Sequence, residues 1–207
     1  MAAGARRSRR AEYAEATRQA IVDAARELFR ARGYFATKVD EIAVGARVSP
    51  ATVYAVAGGK QGLLSTLVGI WSAAPIVAES RELIVGLTDP EEIMREPAAM
   101  TRAMRQDYGD IMRVVLDTAP HDATAAEGLA TATARYRAGL GAVASHLAGL
   151  GALREDVGAG AALDVLWFYF GYAGFFTLVD DNGWSYPQAE AWLLTAATQA
   201  LLRPAAA

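Results

Sequence analysis

Between Thr37 and Lys60 the chain spaces small hydroxyl and cationic side chains as hydrogen bonding to a polyanion would require. Ser49 stands directly before Pro50, Ala51 and Thr52, with Tyr54 two residues further on. A serine there accepts from the N–H groups of a helix's first turn. Proline at the next position costs nothing, because that N–H has no intrahelical partner and the ring's φ is already helical. The first turn of such a helix offers unpaired N–H groups and the positive end of the dipole, both suited to phosphate, and small side chains permit close approach. The hydroxyls of Thr52 and Tyr54 can donate to phosphates or base edges. Thr37, Lys38, Arg47 in the turn before Ser49, and Lys60 after two glycines complete the set of candidates. Arg6, Arg7, Arg9 and Arg10 form a basic N-terminal arm of the kind that enters minor grooves or lies along phosphates, adding salt dependence more than sequence choice.

These groups need elements to hold them. Over residues 17–32 the apolar Ile21, Ala25, Leu28 and Phe29 recur on one helical face, and Gly33 ends the run. Thr37 is the expected N-cap of a short second helix through Gly45, with Glu41 one residue later than a capping box would want and Ile42 and Ala43 facing inward. A tight turn at Ala46-Arg47-Val48 leads to Ser49 and a third helix from Pro50 to about Val56. A two-turn helix is not stable alone, so the first two helices must hold it and leave its outer face free.

A long helical region opens near Lys60 with Leu63, Leu64, Leu67, Val68 and Trp71 on one face. Further helices are expected at about 90–105, 107–118, 122–150, 160–180 and 186–202, separated by Asp-Pro, Pro, Gly and Asn-Gly punctuation. No alternating strand and no repeat of 20 to 50 residues is present, so the fold class is all-α. The expected division is a basic arm at 1–16, a helix-turn-helix at 17–60 and a helical body at 61–207.

The run Thr37-Lys-Val-Asp-Glu-Ile-Ala43, then Ala46 to Tyr54, then Gly59-Lys60 and Leu63-Leu64, resembles the DNA-binding signature of the TetR family of regulators. With the first helix and Gly33-Tyr34 the likeness covers roughly residues 17 to 68. It implies DNA contact by Thr52, Tyr54 and Lys60. Two places depart from the family pattern: Arg47 stands where the turn usually has Gly, so the turn either avoids φ > 0 or is strained by about 1 kcal/mol. Ala55-Val56-Ala57 replaces the usual polar or aromatic pair and Phe, removing side chains that often contact DNA.

The resemblance also implies a helical sensor domain that dimerises through its last two long helices. Residues 161–179 are apolar almost all round, and the final helix carries Ala191, Trp192, Leu193, Leu194, Ala196, Ala197, Leu201 and Leu202, faces that a second copy would cover. Trp71, Met94, Met100, Met104, Tyr108, Met112, Tyr136, His146, Trp167, Phe168 and Tyr172 are candidates for lining an effector cavity, although each is equally suited to an ordinary core. Asp164 suits either an ion pair with a basic neighbour or a cationic ligand.

The net charge of −3 conceals a division: the first 60 residues hold eleven Lys or Arg against six acids, a net of +5, leaving −8 for the rest. A basic head on an acidic body points to polyanion contact by the head alone. The absence of cysteine removes disulfides, thiolate metal sites and thiol nucleophiles, and fits a cytoplasmic setting. No apolar stretch follows the N-terminal arginines, so no export signal is expected, and the uncharged run 165–179 is short for a membrane span. With two distant histidines, His121 and His146, no zinc hydrolase site can be built, and Gly139-x-Gly141-x-x-Ala144 lacks the preceding strand that a dinucleotide fingerprint needs. The expectation is a non-enzymatic homodimer, without metal or other cofactor, that binds palindromic double-stranded operator DNA and is released by a small apolar or aromatic effector. The alternative is a helical protein-interaction module without specific DNA binding; an enzyme is the remaining class.

Overall fold

A computed structural model describes residues 9–204, which are almost wholly helical. The helices are α1 (Arg9–Arg32), α2 (Val39–Gly45), α3 (Pro50–Ala57), α4 (Gly59–Ser72), α5 (Pro75–Gly86), α6 (Pro90–Thr118), α7 (Ala123–Gly149), α8 (Ala159–Phe170), α9 (Tyr172–Phe176) and α10 (Tyr186–Leu201). Among the described residues the one strand-like feature is an isolated antiparallel bridge between Leu153 and Leu202. Arg6 and Arg7 lie outside the described residues.

The chain forms two compact units. The first holds the residues through Ser72 together with Asp110–Ala130, and so extends well past residue 60. In it α1 to α4 pack on one another around Ile21, Ala25, Phe29, Ile42, Val53, Leu63 and Leu67, all at most 1% exposed. The expected apolar stripe of α1 is present, yet the helix already runs from Arg9, eight residues before the expected start at residue 17, so Arg9 and Arg10 are helical rather than part of a separate arm. That extension is exposed, which is why hydrophobic periodicity does not reveal it.

The second unit holds Ala73–Gly109 and the chain from Thr131 onward. Its core joins Ile93 and Met94 of α6, Leu140, Val143 and Leu147 of α7, Leu166 and Phe170 of α8, Phe175 of α9, and Leu193, Ala197 and Leu201 of α10. Three expected boundaries are corrected. The long region after Lys60 is two helices, parted at Ala73-Ala74 before Pro75. The two helices expected at 90–105 and 107–118 are one, α6, continuous through Gln106 and with Pro97 inside it.

The helix expected at 160–180 is broken at Gly171 and finishes in a π-helical turn, Thr177–Asp181. Gly171 has an extended ψ of −174°, and a Cβ there would lie 2.3 Å from the Trp167 carbonyl oxygen, so a side chain is excluded. Two runs, Gly59–Gly86 and Ala159–Asp181, are long and apolar enough to cross a membrane. Each is interrupted, the first at Ala73-Ala74 and the second at Gly171.

Candidate nucleic-acid interface

The turn between α2 and α3 has the hydrogen bonds of a Schellman motif: Val48 N–H donates to Ala43 O at 2.9 Å and Arg47 N–H to Val44 O at 3.1 Å. That motif requires a left-handed residue directly after the C-cap, here Ala46, and Arg47 occupies that position with φ +57°, the one positive φ outside glycine among the described residues. Of the two possibilities open from the sequence, the turn takes the strained one. Ser49 then caps α3, its Oγ accepting from Thr52 N–H at 3.2 Å and lying 2.9 Å from the Thr52 hydroxyl, with Pro50 at the first helical position.

Val53 anchors α3 in the core at 0% exposure, while Ala51 and Ala55 are exposed and Tyr54 is 59% exposed. Ser49, Pro50, Lys38 and Arg47 are also exposed, and Thr52 is half-buried. The Tyr54 ring lies over Gly59: a Cβ on that residue, held at φ +74°, would come within 2.7 Å of Tyr54 Cε1. Gly59 thereby sets where the Tyr54 ring can lie. Tyr54, Lys38, Thr37 and Lys60 border one shallow, open depression together with Val39 and Asp40.

Two candidates turn inward. Thr37 is 2% exposed and its hydroxyl donates to Gly33 O at 2.9 Å. It does not cap α2. The cap is Lys38, whose N–H donates to the Glu41 carboxylate at 2.9 Å, so Glu41 sits at the capping position after all, counted from Lys38. That backbone N–H, with Arg32 2.6 Å from the carboxylate, holds the Glu41 carboxyl below the usual carboxylate range. Lys60 points its ammonium at the loop before α2, donating to Tyr34 O at 2.8 Å and Thr37 O at 3.1 Å, 4.4 Å from the Tyr34 ring centre. Partial burial lowers its pKa. The lysine after the glycine therefore fastens the α1–α2 loop, with its donors engaged by backbone carbonyls. A bidentate ion pair, Arg26 Nε to Asp110 at 2.6 Å and its NH2 group at 2.7 Å, ties α1 to α6 in this unit.

Residues 21–67 match the family model described as bacterial regulatory proteins, tetR family. This helix-turn-helix is a tetR-family domain. Solved structures share the fold across nearly the whole chain at low identity. The SmeT–triclosan complex covers 92% of this chain and 93% of its own, at 18% identity and TM-score 0.75. A protein described as a transcriptional regulator from Saccharomonospora viridis, in complex with choline, covers 92% and 100%, at 17% identity and TM-score 0.74. NalD of Pseudomonas aeruginosa, the secondary repressor of the MexAB-OprM multidrug efflux pump, covers 93% and 98%, at 20% identity and TM-score 0.73. No protein of curated function has a sequence that matches this one. The whole chain thus has the fold of TetR-family regulators, an N-terminal helix-turn-helix followed by a helical domain.

The effector candidates divide in this TetR-type fold. Trp71 and Met112 are buried in the first unit, whereas Met104, Tyr108, Tyr136, His146, Trp167, Phe168 and Tyr172 belong to the second. Within the second unit Tyr136, Trp167 and Tyr172 come together, with ring centres 5.4 to 6.2 Å apart. Phe168 does not join them. It is 73% exposed, because it faces away from the core side of α8 that Leu166 and Phe170 occupy. His146 Nε2 is 2.8 Å from Leu87 O, an acceptor only, so that nitrogen carries the proton and the ring fixes the end of α5 to α7. Asp164 pairs with Arg137 at 2.9 Å.

Sequence reasoning missed Arg105, which is 1% exposed at the centre of this group. Its guanidinium carbon stands 5.3 Å from the Tyr172 ring centre, 5.5 Å from Phe176 and 5.8 Å from Tyr136. It donates to Phe170 O at 3.3 Å and Gly171 O at 3.2 Å, and the Tyr136 hydroxyl donates to Phe170 O at 2.7 Å. These donors serve carbonyls that the break at Gly171 leaves outside the helical ladder. Burial raises the Tyr172 pKa, against the opposing hydrogen bond with Thr133. The available signal was position: Arg105 follows Thr101 by four residues on the buried stripe of α6.

Proposed function

We propose that the chain is a ligand-responsive transcriptional repressor that binds a pseudo-palindromic operator as a homodimer and is released by a small apolar or aromatic effector. The observation that carries this reading is the posture of α3: Val53 is buried beneath it while Ser49, Pro50, Ala51 and Tyr54 stand exposed at its opening turns. A helix held in this way can enter a major groove by its N-terminal end. Ser49, Pro50, Thr52 and Tyr54 meet the duplex directly, Lys38, Arg47, Arg9 and Arg10 contact phosphate, and Arg6 and Arg7 add to the positive charge available to it. Thr37 and Lys60 act through the loop they fasten.

A second copy of the chain covers the outer faces of α8 and α10, where Phe168 and Trp192 are 73% and 49% exposed, and sets the two α3 helices on successive half-sites. The effector occupies the second unit beside Tyr136, Trp167 and Tyr172, in keeping with the triclosan held by a protein of the same fold. It acts by favouring a conformation whose two heads no longer match the half-site spacing, and DNA weakens its binding by the same factor. The proposed setting is the cytoplasm, and no catalytic step is involved.

Selection of bound sequences from random duplex DNA tests this. Enrichment of a palindromic motif, bound with steep salt dependence, supports the regulator. Failure to select any duplex would leave the alternative of a helical interaction module.

A further inference from the structure

The outer face of α3 is defined by what it lacks. Val53 marks its buried side, and at 3.6 residues per turn Ala51 and Ala55 lie about 160° from it on either hand. They are therefore the two residues most directly opposed to the core, one turn apart on a common line, and both are exposed. Both are alanine. The hydrogen-bonding groups sit to the sides: Thr52, half-buried with its hydroxyl 2.9 Å from Ser49 Oγ, and Tyr54, whose ring lies over Gly59. None of Arg, Lys, Asn, Gln, Asp or Glu occurs anywhere in Pro50–Ala57, so α3 carries no side chain able to make a bidentate contact to guanine or adenine.

A methyl group on the centre line of a helix in the major groove has one complementary feature among the base edges, the C5 methyl of thymine. Resting on the reading of α3 as a DNA-reading helix, we propose that this protein selects its half-site by apolar contact of the Ala51 and Ala55 methyls with thymine methyls. Hydroxyl and phosphate contacts position the helix without choosing the sequence. Each half-site then carries one or two thymines at fixed positions under α3. Discrimination at each is modest, since burying a methyl-sized group is worth about 0.8 kcal/mol, or close to fourfold in affinity.

The experiment replaces each thymine of the selected duplex, one at a time, by deoxyuridine, which lacks only the C5 methyl, and measures binding by the full-length protein. The expected result is about fourfold weaker binding at one or two thymines per half-site and no change at the others. In Ala51→Gly and Ala55→Gly proteins the deoxyuridine penalty should vanish at one position each, with Ala55→Ser as a further variant. Equal affinity for thymine and deoxyuridine at every position overturns the inference while leaving the regulator intact. So does a penalty that persists unchanged in the glycine variants, because the methyl would then be acting through the shape of the duplex. If no duplex is selected, the regulator reading fails first and this one with it.

Discussion

Arg47 holds a backbone conformation that an L-residue other than Gly, Asn or Asp visits at a cost, and the Schellman hydrogen bonds around it leave the turn no other option. Arg47→Gly should therefore raise stability by about 0.5–1 kcal/mol, the relief of strain outweighing glycine's larger unfolded-state entropy. A denaturant midpoint that stays put or falls would show the turn to be unstrained. Lys60 leads to a second expectation. With its ammonium on the carbonyls of Tyr34 and Thr37, Lys60→Ala should lower the melting temperature but leave the salt dependence of DNA binding unchanged. Loss of about one unit of log–log slope would return the lysine to phosphate. At this scale residue types were legible and directions were not. Ser49 and Pro50 declared their places as cap and first helical residue through local geometry, whereas Thr37 and Lys60 are turned inward by carbonyls that only tertiary structure brings near. Arg105 went unnoticed because a lone arginine on a helix is ordinarily a surface residue.

Helices were legible wherever a stripe met a stop signal, as in α3, α7 and α10, whose ends fall within a residue or two of expectation. Breaks inside apolar runs were not. Gly171 interrupts a segment whose composition suits a single helix, and a glycine in such a run is equally compatible with close packing. The tie between α1 and α6 was also hidden, since 84 residues separate Arg26 from Asp110. Burial alone would raise the Asp110 pKa, but the two Arg26 hydrogen bonds hold it below the ordinary value. A depressed carboxyl contributes stability that is complete above the unfolded-state pKa and is lost as pH falls through the folded-state value. Asp110→Asn should therefore be less stable than the parent at neutral pH, with the two melting temperatures converging as pH drops below about 4. A difference that does not narrow at all as pH falls below the ordinary carboxylate range would show that the ion pair is not its source.

At the scale of the molecule, the division between a basic head and an acidic remainder was plain in the sequence, as was the all-helical class. The partition of the chain was harder to see, because α6 and α7 each contribute to both units and sequence order does not show where a long helix changes company. The exposed rings on α8 and α10 lead to an assembly prediction. Phe168→Glu with Trp192→Glu should turn a dimer into a monomer by light scattering and abolish binding to the palindrome, while a single half-site retains its weak affinity. A doubly substituted protein that remains dimeric would place the interface elsewhere.

The guanidinium of Arg105 already lies against the faces of Tyr136, Tyr172 and Phe176. Rings arranged around a positive charge are ordinarily taken as the mark of a pocket for quaternary ammonium compounds. Here the protein has furnished that guest from one of its own side chains. A visitor carrying the same sign would have to evict a resident whose departure strips donors from the carbonyls of Phe170 and Gly171, so these rings are a poor berth for it.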